Sequence, residues 1–254
     1  MILYKRIIPF GIAILNLVAL EIIIQQPSLI VVLFLILFIL PVLSVFYLTN
    51  KKMEFKDSYR FILTVALIII SEIGSLLFVD NIIIQHLLVI IISGALFFYI
   101  EFLFLFLYFQ EKYKAYSLEN INNLVNLFVF ILSGVAIFAL IVFMNFSIFA
   151  SILIVLFLSS VSLFLSFENS KIEFKRALSA IIIGGLLAIE VFFILTWLPF
   201  SFYLKALMLT VFYYLFNGIM KLWLIDNLDK KQISKFFFVF IGVWLLCFLT
   251  ARWM

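Results

Sequence analysis

Charged side chains are scarce in this chain of 254 residues. Only 12% of the residues are Asp, Glu, Lys or Arg, whereas 68% are hydrophobic and the mean hydropathy is +1.36. A soluble globular domain normally carries about 25% charged residues. The composition therefore excludes a soluble globule and predicts a protein whose outer surface faces lipid.

Cysteine and histidine are almost absent, because the chain has one of each, Cys247 and His86. A single cysteine cannot form an intrachain disulfide and has no partner for a metal or redox site. The sequence also lacks the phosphate-binding G-x-x-x-x-G-K-[ST], the dinucleotide-binding G-x-G-x-x-G, and the H-E-x-x-H and C-x-x-C motifs. We therefore predict no cofactor, no metal site and no catalytic residue.

Long apolar runs fill most of the chain. Each is about 20 residues long, which is the length that an α-helix needs to cross ~30 Å of hydrocarbon. The alternating pattern of barrel strands is missing. We predict one all-α transmembrane domain over residues 1–254, a helical bundle with nine spans. These spans cover residues 7–25, 28–49, 61–79, 82–108, 123–144, 147–167, 177–198, 202–224 and 236–252.

Basic residues precede the first predicted span and then lie in every second connection. The connections between them, QQPS, DN, NFS and PFS, contain no Lys or Arg. The positive-inside rule therefore predicts a cytoplasmic N-terminus and a C-terminus outside. The net charge of +4 reflects this orientation and contact with anionic lipid at the cytoplasmic face, not nucleic acid. The basic residues concerned are Lys5, Arg6, Lys51, Lys52, Lys56, Arg60, Lys112, Lys114, Lys171, Lys175, Arg176, Lys221, Lys230, Lys231 and Lys235.

A short basic phrase occurs twice, as NKKMEFK at 50–56 and NSKIEFK at 169–175, with an offset of 119 residues. Internal similarity of this kind indicates a duplicated unit. We predict two parallel four-helix repeats, approximately 1–119 and 120–234, followed by an extra C-terminal span at 235–254. Parallel repeats occur in transporters, where binding sites lie at the repeat interface, and duplication also occurs in scaffolds.

Few ionisable residues lie inside the predicted spans, where a charge costs about 3 kcal/mol. Glu72 and His86 flank the outer turn between the third and fourth spans, and Glu190 and Lys205 flank the turn between the seventh and eighth. His86 and Lys205 align at the offset of 119, and the two glutamates align within one residue. We predict one acid-base pair across the outer hairpin of each repeat. Glu21 lies near the outer end of the first span.

Three interpretations of these pairs remain open at this point. Each pair could neutralise itself and hold one helix hairpin together. The four residues could instead form a substrate or ion site that opens outward, with Lys205 and His86 receiving an anion and the glutamates responding to protons or cations. General acid-base chemistry on a lipid is the third interpretation, although it has no nucleophile or metal beside it.

Small and amide residues predict where helices pack. Ala180, Gly184 and Ala188 form a small-xxx-small stripe in the seventh span, which is typical of close helix packing. Three asparagines inside spans are expected to hydrogen-bond between helices: Asn16, Asn126 and Asn217.

A segment of the second repeat combines charged and aromatic residues with a proline: Glu190, Trp197, Leu198, Pro199, Phe200, Lys205, Tyr213 and Tyr214. In this segment the chain resembles uncharacterised multi-span inner-membrane proteins of small-genome bacteria. The resemblance implies a bacterial cytoplasmic membrane and no particular activity.

Two functions from different classes fit the sequence. The first is a small transport or binding protein with an outward-facing intramembrane site made from Glu72, His86, Glu190 and Lys205. The second is a non-catalytic membrane subunit or scaffold that binds other membrane proteins and uses the charged pairs structurally. We favour the first, because the acid-base arrangement recurs in both predicted repeats.

Overall fold

The computed structural model of the chain describes residues 2–50, 52–53, 55–109 and 117–251, without the side chains of 2–4, 55–57 and 117. Within these residues the secondary structure consists of nine α-helices and one short 3-10 helix at Pro27–Leu29. The α-helices are α1 (Ile2–Gln25), α2 (Ile30–Thr49), α3 (Phe55–Leu76), α4 (Ile82–Tyr108), α5 (Ser117–Met144), α6 (Ile148–Asn169), α7 (Phe174–Trp197), α8 (Phe202–Leu224) and α9 (Lys230–Thr250).

All nine of these helices are long and apolar enough to cross a membrane. Their large apolar side chains also face outward, as Phe149, Phe238 and Leu249 do at 71%, 80% and 80% exposure. Soluble monomers rarely expose continuous apolar surface on this scale. The chain is therefore a multi-pass membrane protein in a lipid environment, and the predicted all-α class with nine spans is confirmed.

The helices extend beyond the predicted spans at their charged ends. α3 begins at Phe55 and α9 at Lys230, whereas the predicted spans begin at residues 61 and 236. An apolar run measures the thickness of hydrocarbon, but a helix can continue into the headgroup layer because its backbone hydrogen bonds are internal. Hydropathy therefore gives the number of helices and misses their charged ends, whereas α4 and α8 coincide with their predicted spans and the predicted third span runs past the end of α3 to residue 79.

Some of the basic residues behind the predicted orientation are outside the described part of the chain. These are Lys51, Lys112 and Lys114, together with the side chain of Lys56. The orientation stays a prediction.

The first compact unit spans Met1–Val125 and contains α1–α4 and the start of α5. Its most extensive helix contact joins α1 and α4, and α2 packs against α1 and α3. α1 and α4 run antiparallel, because Glu21 near the end of α1 meets His86 near the start of α4. At the opposite end, Lys5 in the beginning of α1 donates to the hydroxyl of Tyr108 at the end of α4.

The second compact unit spans Asn126–Met254. α6 and α7 make its most extensive contact, α7 packs on α8, and α8 packs on α9. α5 meets α8 through a small-residue contact, since a Cβ on Gly134 would lie 3.1 Å from the Cβ of Ala206. The rings of Phe130 and Tyr213 stack with their centroids 4.3 Å apart. Each unit thus has a packed interior of its own.

The small-residue stripe of α7 lies inside the second unit. Ala180, Gly184 and Ala188 are all buried. A Cβ on Gly184 would lie 2.4 Å from Cε1 of Phe216 on α8 and 2.5 Å from Cδ1 of Leu163 on α6. The absence of a side chain here lets α7 fit between two neighbours.

α9 packs on one side only. The ring of Phe236 covers Gly218 of α8, where a Cβ would lie 2.4 Å from that ring. The indole Nε1 of Trp244 donates to the carbonyl of Met208 at 3.2 Å. Within α9, Cys247 is the one buried residue. Most of this helix faces lipid.

Candidate functional site

Glu72 lies in the interior of the first unit, at 0% exposure. Asn16 of α1 donates through Nδ2 to Oε2 of Glu72 at 3.3 Å and to the hydroxyl of Ser93 on α4 at 3.4 Å. Both Asn16 and Ser93 are buried as well. Three helices therefore bring a carboxyl, an amide and a hydroxyl together, and the helix-to-helix hydrogen bond predicted for Asn16 is confirmed.

Two oxygens of this cluster have no hydrogen-bond partner among the described residues, Oε1 of Glu72 and Oδ1 of Asn16. The neighbouring serines on α3 do not supply one, because the hydroxyls of Ser71 and Ser75 donate to the carbonyls of Ile68 and Glu72. Buried polar atoms without partners are rare in folded proteins and each one needs an explanation. Carboxylate, amide and hydroxyl oxygens are the ligands that hard cations prefer.

A second polar pair lies on α1 and α4, the helices that carry Asn16 and Ser93. Nδ1 of His86 is 2.8 Å from Oε2 of Glu21, and their side chains are 42% and 26% exposed. Glu21 is one to two turns beyond Asn16 on α1, and His86 is two turns before Ser93 on α4, which corresponds to about 7 to 11 Å along each axis. The α1-α4 contact therefore has polar groups at two levels, Asn16 and Ser93 beside the buried Glu72, and Glu21 and His86 at a partly exposed position.

The hairpin pair predicted in the first unit is corrected by this arrangement. His86 pairs with Glu21 of α1, whereas Glu72 of α3 interacts with Asn16. The reason is packing, because α4 contacts α1 much more extensively than it contacts α3. Glu21 and Asn16 are thus the residues that the sequence did not assign to the site. The signal in the sequence that could have indicated them is that a charged residue and an amide, Glu21 and Asn16, both occur in the first apolar span.

The predicted pair of the second unit is corrected too. Nζ of Lys205 donates to the carbonyl of Thr196 at 3.1 Å, and the side chain of Glu190 is exposed on α7. Among the described side chains, none forms an ion pair with Glu190. The last carbonyls of a helix have no partner within the helix and attract cations. Lys205 therefore caps the end of α7.

The interior of the second unit contains several buried polar side chains, and Lys205 is the one buried charged residue among its described residues. Ser166 of α6 donates to Oδ1 of Asn217 on α8 at 2.9 Å, which confirms the interhelical hydrogen bond predicted for Asn217. Buried atoms of Asn126, Ser162 and Tyr213 have no partner among the described residues, so the bond predicted for Asn126 is not found there. No group of three or more His, Cys, Asp or Glu suited to a metal occurs in the described chain.

Two of the serines of α6, Ser162 and Ser166, offer a matched test of this interior. Replacing Ser166 with alanine is expected to lower the free energy of unfolding by about 0.6 to 1 kcal/mol, because Asn217 loses its donor. Ser162→Ala removes a hydroxyl that has no described partner, so its effect is expected to be smaller. Apparent melting temperatures in detergent compare the two, and equal losses would contradict the assignment.

Comparison with protein-family models, curated proteins and solved structures finds no match for this chain. Its function is therefore inferred from the chemistry of its own residues.

Proposed function

We propose that the protein is a small membrane transport or binding protein, in which Glu72 binds and releases a proton or a monovalent cation. One observation carries this proposal. The carboxyl of Glu72 is completely buried, and one of its oxygens has no hydrogen-bond partner among the described residues. An ionised carboxylate in an apolar interior is costly unless a positive charge compensates it. A bound proton or cation supplies that compensation.

The surroundings of Glu72 support exchange with the outside of the unit. Asn16 holds one carboxyl oxygen, which leaves the other available for a proton or cation. The Glu21-His86 pair lies at a partly exposed position on α1 and α4, the two helices that contribute Asn16 and Ser93. A carboxylate attracts cations, and an imidazole nitrogen can carry a proton. We infer that an ion approaches Glu72 from the side of this pair, which lies about 7 to 11 Å away along the helix axes.

The proposal includes the orientation of the protein in the membrane and its organisation as two repeats. We place the N-terminus in the cytoplasm and the C-terminus outside a bacterial cytoplasmic membrane, so the Glu21-His86 end faces outward. The two units are proposed to be parallel repeats, with α9 added. Similar neighbours support this, because α1 packs on α4 and α2 on α3 in the first unit, while α5 meets α8 and α6 packs on α7 in the second.

Infrared difference spectroscopy of the purified protein in lipid nanodiscs tests the proposal. We expect a carbonyl-stretch band from a protonated, buried carboxylic acid that disappears when the pH is raised or Na⁺ is added. Glu72→Gln should lack this change, and the exposed Glu190→Gln should retain it. The proposal fails if the band persists in Glu72→Gln, or if neither proton nor Na⁺ affects it while the protein stays folded.

A second candidate function, a non-catalytic subunit of a membrane complex, is supported by Glu190. Its carboxyl is exposed on an apolar helix and is not in an ion pair within the described residues. A cationic group on a neighbouring helix of another protein would compensate it. Native mass spectrometry after gentle extraction tests this function. A partner of fixed stoichiometry that is lost in Glu190→Gln supports a subunit, and a protein that is alone in both forms contradicts it.

A further inference from the structure

Two lysines converge on one aromatic ring at the end of the first unit opposite to the Glu21-His86 pair. Nζ of Lys5 lies 4.6 Å from the ring centroid of Tyr108, and Nζ of Lys52 lies 5.5 Å from the same centroid. The two ammonium nitrogens are therefore at most about 10 Å apart. Lys5 is also 5.1 Å from the ring centroid of Tyr47. Helices α1, α2 and α4 and the segment after α2 contribute these residues.

Among the residues that the structure describes, no acidic group compensates the positive charge at this place. Lys5 is only 6% exposed, yet its contacts are the rings of Tyr47 and Tyr108 and the hydroxyl of Tyr108. That hydroxyl donates in turn to the carbonyl of Leu48 at 2.9 Å. Among the described side chains, no carboxylate forms an ion pair with either lysine. Holding two like charges together is unfavourable, so an anion would stabilise the cluster.

The two lysines beside the tyrosine rings favour a phosphate group as the anion. Lysine binds phosphate as a point charge on a flexible stem, so two lysines can approach one phosphate group from either side. Basic pockets between transmembrane helices bind phosphate headgroups of anionic lipids, and tyrosine is common at the same depth. A purely apolar lipid tail would gain nothing from two ammonium groups.

We propose that Lys5, Lys52, Tyr47 and Tyr108 form a binding site for a phosphate ester at this end of the first unit. Lys5 and Lys52 hold the phosphate oxygens. Tyr47 and Tyr108 hold the lysines in place through their ring faces. The same chemistry fits the headgroup of an anionic phospholipid and a free phosphate ester, and the two sources differ in how they are retained.

Binding measurements on the purified, delipidated full chain distinguish these sources. Titration with phosphatidylglycerol in neutral detergent, followed by native mass spectrometry, measures the lipid, and calorimetry with glycerol 3-phosphate measures the free ester. Lys5→Met and Lys52→Met are each expected to weaken binding about fivefold, because each lysine near an anionic phosphate contributes to that extent. Lys5→Arg should retain binding.

Lys175→Met is the matched control, because Lys175 is an exposed lysine of the second basic phrase. Its replacement should leave binding unchanged. Lys52 is itself exposed, so Lys52→Met tests the site even if Lys5→Met fails to fold. The proposal is overturned if neither phosphatidylglycerol nor glycerol 3-phosphate binds, or if Lys175→Met weakens binding as much as the two site variants.

Discussion

Gly184→Val is expected to lower the free energy of unfolding by about 3 kcal/mol, at the upper end of the usual overpacking range. A Cβ at this position would lie 2.4 Å from the ring of Phe216 and 2.5 Å from Leu163. Both neighbours are buried, and they belong to two different helices that pack against α7. Movement away from one of them increases the clash with the other. α7 must therefore separate from α6 or α8.

The matched control is Gly242→Val on α9, because a Cβ added to Gly242 would meet no atom within 4 Å. That substitution is expected to change stability little. Apparent melting temperatures of both variants in the same detergent give the comparison. Similar losses for the two would mean that the α6-α7-α8 contact tolerates a larger residue. Because the small-residue stripe of α7 is buried within the second unit, a loss of stability in Gly184→Val reports on the folding of this unit and not on its binding to another protein.

Asn16→Leu is expected to destabilise the first unit by about 2 to 3 kcal/mol, which exceeds the average interhelical hydrogen bond in membranes of about 0.6 kcal/mol. The amide of Asn16 donates to the carboxyl of Glu72, so its loss leaves that buried carboxyl without a partner among the described residues. The hydrogen bond from Asn16 to Ser93 is lost at the same time. The measurement is the free energy of unfolding in lipid bicelles.

The double variant Asn16→Leu/Glu72→Leu isolates the cause of this loss. Replacing both members of a buried polar pair by apolar residues is often neutral, whereas removing one member is costly. We therefore expect the double variant to be more stable than Asn16→Leu alone. If the loss of stability in the double variant instead equals the sum of the losses in Asn16→Leu and Glu72→Leu, the carboxyl of Glu72 does not depend on Asn16.

The number and type of the helices could be predicted from the sequence, because hydrocarbon imposes a length of about 20 apolar residues on every span. The partners of the charged residues could not be predicted. The predicted pairs rested on the two arms of a hairpin being neighbours, but α4 packs mainly against α1. Hydropathy treats each helix separately and contains no information about which faces meet. His86 accordingly meets Glu21, which is 65 residues away in sequence.

Lys205 shows a different reason for failure. Charge complementarity predicts Glu190 as its partner, but the carbonyl of Thr196 lies nearer the end of α7 and accepts the hydrogen bond from its ammonium group. Backbone acceptors have no signature in the sequence beyond the end of a helix. The candidate residues Glu72, His86, Glu190 and Lys205 are thus recognisable in the sequence as unusual residues, while their contacts required the structure.

The one-sided packing of α9 has a consequence for the cooperativity of unfolding. Its described contacts are with α8 and with the turn before α8, where the rings of Phe200 and Phe248 lie 5.3 Å apart. A segment with few buried contacts can open at a lower free energy than the whole fold. α9 is therefore expected to behave as a separate cooperative unit, whose backbone amides exchange with deuterium before those of α6, α7 and α8.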